Sequence, residues 1–166
     1  MVRFKNRWIL VELIPCSTSA DGAITLGGPI SAVGGNNELT SKHIWSAVKQ
    51  SIITNFGDAG WGFVSSSLTI KYYSPTTNIC IIRVARDQHQ IAWAGVTLLT
   101  NIEGKKYVPN IVHLSGTIKQ AQLAAITHNR EVVARYRANA GKPAAYQDSY
   151  ESFLVESTRE IEALQD

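Results

Sequence analysis

The stretch Leu68 to Asp87, LTIKYYSPTTNICIIRVARD, limits the possible folds more than any other part of the chain. Two apolar runs rich in β-branched and aromatic residues flank a turn signal, Ser74 to Asn78, which is the pattern of a β-hairpin. Leu68, Ile70 and Tyr72 fall on one face of the first strand, and Thr69, Lys71 and Tyr73 on the other. In the second run Ile79, Ile81 and Arg83 alternate with Cys80, Ile82 and Val84, so a strand covered on both faces carries a cation beside two isoleucines. A charge placed there requires a partner.

Taken in order, residues 2–14 predict a first strand covered on both faces, with Glu12 as its exception. Residues 15–40, rich in Gly, Ser, Pro and Asn, read as a flexible loop; its Gly-Gly pairs lack the following Lys-Ser/Thr of a phosphate-cradling loop. Thr40 or Ser41 caps a helix carrying Ile44, Val48, Ile52 and Phe56, which Gly57 ends. Asn55 to Gly62, NFGDAGWG, then reads as a compact turn with positive φ at one or more glycines, returning the chain to the sheet. Beyond the hairpin, Asp87 is placed to cap a helix with Ile91, Gly95, Leu98 and Ile102 along it. Gly104 to Lys106 forms a basic turn, Pro109 to Leu114 a fourth strand, and Ser115-Gly116-Thr117 opens a helix running past Val133.

The resulting order is βαββαβ, an α+β class with an RRM-like, ferredoxin-like sandwich: an antiparallel sheet with helices, plus a C-terminal helix. The domain spans residues 1–137 with the flexible 15–40 insertion. Residues 138–166 are a linker, ANAGKPAA, and an acidic amphipathic helix with Tyr150, Phe153, Leu154, Ser157, Ile161 and Leu164 on one face. That helix either folds onto its own domain, the default, or meets another protein.

Charge narrows the function. From Gln147 onward there are six acidic residues and one basic, so the net +3 of the chain divides into a tail of −5 and a body of +8. A basic body fits an anionic partner, nucleic acid above all, although a solvated surface gives the same count. The basic start and the apolar run Trp8 to Ile14 imitate a signal peptide, but Glu12 interrupts the run and no small-residue cleavage pattern follows. No apolar stretch reaches the length of a spanning helix. Cys16 and Cys80 suit two free thiols in a reducing compartment.

No catalytic or metal constellation stands out. His43, His89, His113 and His128 form no HExxH pair, there is no Cys-x-x-Cys, and no Gly-x-Ser-x-Gly elbow. A histidine pair assembled in space, acting as acid and base on RNA, stays open as an alternative; so does the bland reading of His113 and His128 as structural residues. Cations are more suggestive: Arg3, Lys5 and Arg7 on the first strand, Lys71, Arg83 and Arg86 in the hairpin, and Lys119, Arg130, Arg135 and Arg137 on the last core helix. The strand ICIIRVA has no ring on which to stack a base, so RNA contact would rest on backbone and shape. A third alternative is an interaction module whose cations meet acidic proteins.

Four segments in order, MVRFKNRW, NFGDAGWG, KYYSPTTNICIIRVARD, and HLSGTIKQAQ followed by HNR, resemble the Pop-five subunits of ribonuclease P and ribonuclease MRP, over residues 1–14 and about 40–137. The resemblance implies an RRM-like, non-catalytic, RNA-binding subunit of a nuclear and nucleolar ribonucleoprotein. Its RNA, with magnesium, removes the 5′ leader of precursor tRNA or processes precursor rRNA. It also implies a second small α/β subunit and a barrel-shaped subunit of the Rpp-thirty type as partners, and no cofactor on this chain. The matched cations, expected to bind RNA, are Arg3, Lys5, Arg7, Lys71, Arg83, Arg86, Lys119 and Arg130. Asn78 stands where the resemblance leads one to expect glycine.

Overall fold

The computed structural model describes residues 5–18, 24–26, 39–140 and 147–165. Strand β1 (Asn6–Thr18) is the spine of the sheet, with β4 (Ile79–Ala85) on one side and β6 (Lys105–Ser115) on the other. β3 (Thr69–Ser74) adds to β4, and the two-residue β5 (Asn101–Ile102) to the start of β6, giving the order β3-β4-β1-β6-β5. Every pairing is antiparallel. Without the short β5, the order of the four main strands is the one a split βαβ arrangement produces.

Part of the insertion is sheet. β1 runs on to Thr18, and β2 (Ile24–Leu26) pairs back upon it with Cys16 opposite Leu26 and Thr18 opposite Ile24. The reading of 15–40 as a loop is corrected at those positions. Their β-branched Thr18, Ile24 and Thr25 favour strand. The remainder of that insertion, Met1 to Phe4 and most of the expected linker lie outside the described residues.

Helix α1 (Ser41–Val64) is longer than expected because the chain resumes helical structure after Gly57. Gly57 has φ of 68°, as its position required, but it makes a kink between two helical segments instead of a return to the sheet. In a straight helix Trp45 and Trp61 would stand about 24 Å apart; here their ring centroids are 5.4 Å apart, edge to face, with the Lys49 ammonium over both. A single turn of 3-10 helix (Arg86–Gln88) then leads into α2 (His89–Thr97), one residue after Gln88 and not at Asp87. Ile102, expected on that helix, belongs to β5, since the turn at Glu103 and Gly104, both with positive φ, folds the chain back into β6.

α1 and α2 cover one face of the sheet. Ile9, Val11, Leu13, Cys80, Ile82 and Val84 point into their cluster with Ile44, Val48, Ile52, Ala92 and Val96. The helices touch closely at Gly95, where an added Cβ would lie 2.3 Å from the Ile52 side chain, and the Ser51 hydroxyl donates to the Gly95 carbonyl at 2.7 Å. α3 (Ile118–Ala140) and α4 (Gln147–Glu162) cover the other face, over Trp8, Leu10, Tyr72, Ile79 and Ile81.

The acidic helix therefore folds onto its own domain. Ile161 and Ser157 are buried, and the Gln122 amide donates to the carbonyls of Ile161 at 2.8 Å and Leu164 at 3.1 Å, satisfying groups that a helix end leaves open. Among the described residues no helix is long and apolar enough to cross a membrane.

Candidate nucleic-acid interface

The start of β1 and the end of β4 lie side by side, with Arg7 opposite Val84 and the Arg86 N–H donating to the Lys5 carbonyl at 2.8 Å. Trp8 opposite Ser115 brings the end of β6 to the same end of the sheet, and α3 begins three residues later. Four of the expected cations thus gather at this end from three chain segments: Lys5 and Arg7 from the start of β1, Arg86 from the end of β4 and Lys119 from the start of α3. Arg7 leans over the β6–α3 junction, its guanidinium 3.0 Å from where a Cβ on Gly116 would sit. Lys5, Arg86 and Lys119 are exposed and Arg7 is half-buried. Among the described residues none of the four is ion-paired with a carboxylate.

The opening turn of α3 adds to this charge. It carries no acidic residue, and the Thr117 hydroxyl accepts the Gln120 N–H at 3.4 Å, capping the helix that Ser115-Gly116-Thr117 opens. Arg130, three turns along at about 16 Å, lies on the same side of the helix as Lys119 and is exposed.

The other expected cations are placed differently. Lys71 donates to the Gln165 carbonyl at 3.3 Å and holds the C-terminal segment against the edge strand. Arg83 is half-buried on β4 and already engaged within the fold. Arg3 lies outside the described residues. Of the two further α3 arginines, Arg135 lies 3.1 Å from Glu12 and Arg137 lies 3.8 Å from Glu151 of α4. Four arginines and lysines of one helix are therefore split, among the described residues, into a pair with no carboxylate within 4 Å, Lys119 and Arg130, and a pair that reaches one, Arg135 and Arg137.

Glu12 is the residue whose role the sequence concealed. Buried at the centre of β1, it accepts from His128 at 2.9 Å and from Arg135, with the Asn110 amide at 3.4 Å. Burial alone would raise its pKa, but the His128 hydrogen bond and the Arg135 guanidinium outweigh that and hold the carboxyl below its ordinary value. The other His128 nitrogen lies 3.6 Å from Glu131. Each ring nitrogen of His128 thus has a carboxylate within 4 Å. A signal was present: one acid in an apolar strand, and a His and an Arg seven residues apart on one face of a helix.

The sheet offers no stacking platform. RRM modules stack bases on aromatic residues of an open sheet face; here that face, with Trp8 1% exposed, is sealed under α3 and α4. Exposed cations lie instead at the end of the sheet and along α3. Among the described residues no group of three or more His, Cys, Asp or Glu is placed to hold a metal.

Comparison with known proteins gives a consistent result. A family model described as the Rpp14/Pop5 family matches residues 7–126. The chain is 36% identical over 133 residues to the ribonuclease P/MRP protein subunit POP5 of Schizosaccharomyces pombe, covering 80% of this chain and 91% of that one. It is 33% identical to the probable POP5 subunit of Arabidopsis thaliana, over 79% and 81%, and 27% identical to the POP5 subunit of Homo sapiens, over 96% and 94%. A chain in the cryo-EM structure of yeast ribonuclease MRP matches the fold with a TM-score of 0.51 at 10% identity, covering 81% of this chain and 98% of that one.

Proposed function

The chain belongs to the Rpp14/Pop5 family, and from this premise we propose that it is a non-catalytic subunit that grips the RNA of ribonuclease P/MRP by the cationic end of its sheet. It is a protein subunit of a ribonuclease P/MRP particle, as its relatives are by name, and a nuclear one. Its task is to hold the catalytic RNA and neighbouring subunits in register while that RNA, with its own magnesium, cleaves the 5′ leader from precursor tRNA or processes precursor rRNA. A second small α/β subunit and a barrel-shaped subunit are its protein neighbours, and the nucleolus is included in its range.

One observation carries the RNA-binding role. Lys5, Arg7, Arg86 and Lys119 are assembled from distant segments into one patch and, among the described residues, have no carboxylate partner. Where the fold needs arginines for itself, as at Arg135, it supplies an acid within 4 Å. Cations gathered without acids favour phosphate, by charge and by release of its counterions.

The test is the salt dependence of binding to ribonuclease P/MRP RNA. Arg86→Ala and Lys119→Ala are each expected to weaken binding and reduce the slope of log K against log salt by about one. Arg135→Ala should leave that slope unchanged while lowering stability. Slopes equal to wild type in both patch variants would refute RNA contact at this end and favour acidic protein surfaces as the partner of these cations.

A further inference from the structure

Beside the cationic end lies a groove of about 570 Å³ between β6 and α3, walled by His113, Ser115, Gln120, Leu123, Thr127 and Glu131. His128 forms its floor, with the ring fixed by Glu12 at 2.9 Å. We propose that this groove takes one unstacked nucleotide of the RNA, its base between His113 and the α3 wall and its phosphate toward Lys119 and Arg7; this rests on the RNA-binding reading above and names the form of RNA read there.

Position and chemistry support it. The groove reaches Ser115 and Gly116, the junction over which Arg7 leans, and α3 carries both Gln120 on its wall and Lys119 in the patch, so one strand of RNA can span both. Its size is that of small-molecule sites. Its polar groups include both hydrogen-bond types: Gln120 offers donor and acceptor, Glu131 accepts, and the Thr127 hydroxyl does either. That mixture suits the edge of a base, while the His113 ring and the exposed Leu123 side chain offer surfaces for its face.

A partner protein's strand is the competing occupant, because past Tyr107 no described strand covers the outer edge of β6. Two features blunt that edge. The Leu13 N–H donates away from β6 to Asn78, so its opposite residue, Pro109, turns a nitrogen without hydrogen to the outside, where a docking strand needs a donor. A bulge between Leu10 and Val11 leaves Val112 unpaired and breaks the regular spacing farther along. Edges built this way discourage strand addition.

The experiment uses the purified full chain with a fluorescein-labelled single-stranded oligoribonucleotide and the matching RNA duplex. Wild type is expected to favour the single strand, since a duplex presents no free base. Gln120→Ala, and Leu123→Trp, which fills the groove from a position 67% exposed and so compatible with folding, should each weaken single-strand binding about fivefold to tenfold. Duplex affinity and the salt slope should stay at wild-type values, because the phosphate contacts remain. Two results overturn the proposal: unchanged single-strand affinity in both variants, or a flattened salt slope in both. If wild type binds neither RNA, the RNA-binding reading itself fails, and that outcome is separate from the others.

Discussion

The two faces of the sheet are held by different physics. On the α1/α2 face, Ile9, Ile82 and Val84 meet Ile44, Val48 and Ile52 in an apolar core that depends on shape, down to the close contact at Gly95. On the α3/α4 face the apolar residues surround hydrogen-bonded polar ones. Thr77 donates to Asn129 at 2.7 Å, Asn129 donates to Ser157 at 2.9 Å, and Ser157 meets the Tyr72 hydroxyl at 2.9 Å, with Glu12, His128 and Arg135 as a second set. Burial of apolar area accepts many arrangements of a helix, whereas these bonds accept one. The second face therefore fixes the rotation of α3, and that rotation leaves Lys119 and Arg130 exposed while it brings the Arg135 guanidinium to Glu12.

The largest test of this contrast uses adjacent residues of one strand. Ile82 is fully buried on the α1/α2 face and Ile81 equally so on the other. Truncation of either to Ala should cost about 2–5 kcal/mol. We expect Ile81→Ala to exceed Ile82→Ala by about 1 kcal/mol, because the hydrogen bonds that seat α3 and α4 keep them from settling over the cavity, whereas an apolar face can repack in part. Denaturant titration measures both, and equal losses would show that the two faces are equivalent cores.

A smaller effect isolates the charged part of the second face. Glu12→Gln keeps the shape but removes the anion facing His128 and Arg135, at an expected cost of about 1–3 kcal/mol at neutral pH. Because the folded pKa of Glu12 lies below its usual 4.5, its contribution is present above that value and lost as pH falls through the lower, folded one. Wild type should therefore destabilise with acid below about pH 4.5 more steeply than Glu12→Gln. Parallel acid profiles would remove Glu12 from the account of how α3 is seated.

These faces also differed in how far the sequence disclosed them. Apolar residues at helical and strand spacing reveal the α1/α2 sandwich directly, and Ile44, Val48 and Ile52 stand where that periodicity puts them. The kink at Gly57 was legible as a glycine conformation but not as a second helical segment, since local sequence does not say that Trp61 will find Trp45 across the bend. On the other face the partners are far apart: Glu12 and Arg135 are 123 positions distant. Nothing local separates Arg135 from Arg130, so the cations could be gathered from sequence but not divided into those that pair with a carboxylate of the fold and those that, among the described residues, do not.

The smallest test lies at the hairpin turn, where the polar set of the second face ends between two neighbouring residues. Thr77 is buried and bonded to Asn129. Asn78 is 1% exposed, and its amide nitrogen and oxygen have no hydrogen-bond partner among the described residues. Its backbone explains its place: φ is 57°, a conformation asparagine tolerates better than most residues, and its carbonyl accepts the Leu13 N–H at 2.8 Å. Glycine meets the same backbone demand without desolvating an amide, a cost of about 1–3 kcal/mol, against roughly 0.5–1 kcal/mol for its greater freedom when unfolded. Asn78→Gly should then raise stability by about 1 kcal/mol, read as a shift in the denaturation midpoint at unchanged slope. A stabilised variant shows that the polar set stops at Thr77, whereas a destabilised one extends it to Asn78 and makes that amide part of what seats α3.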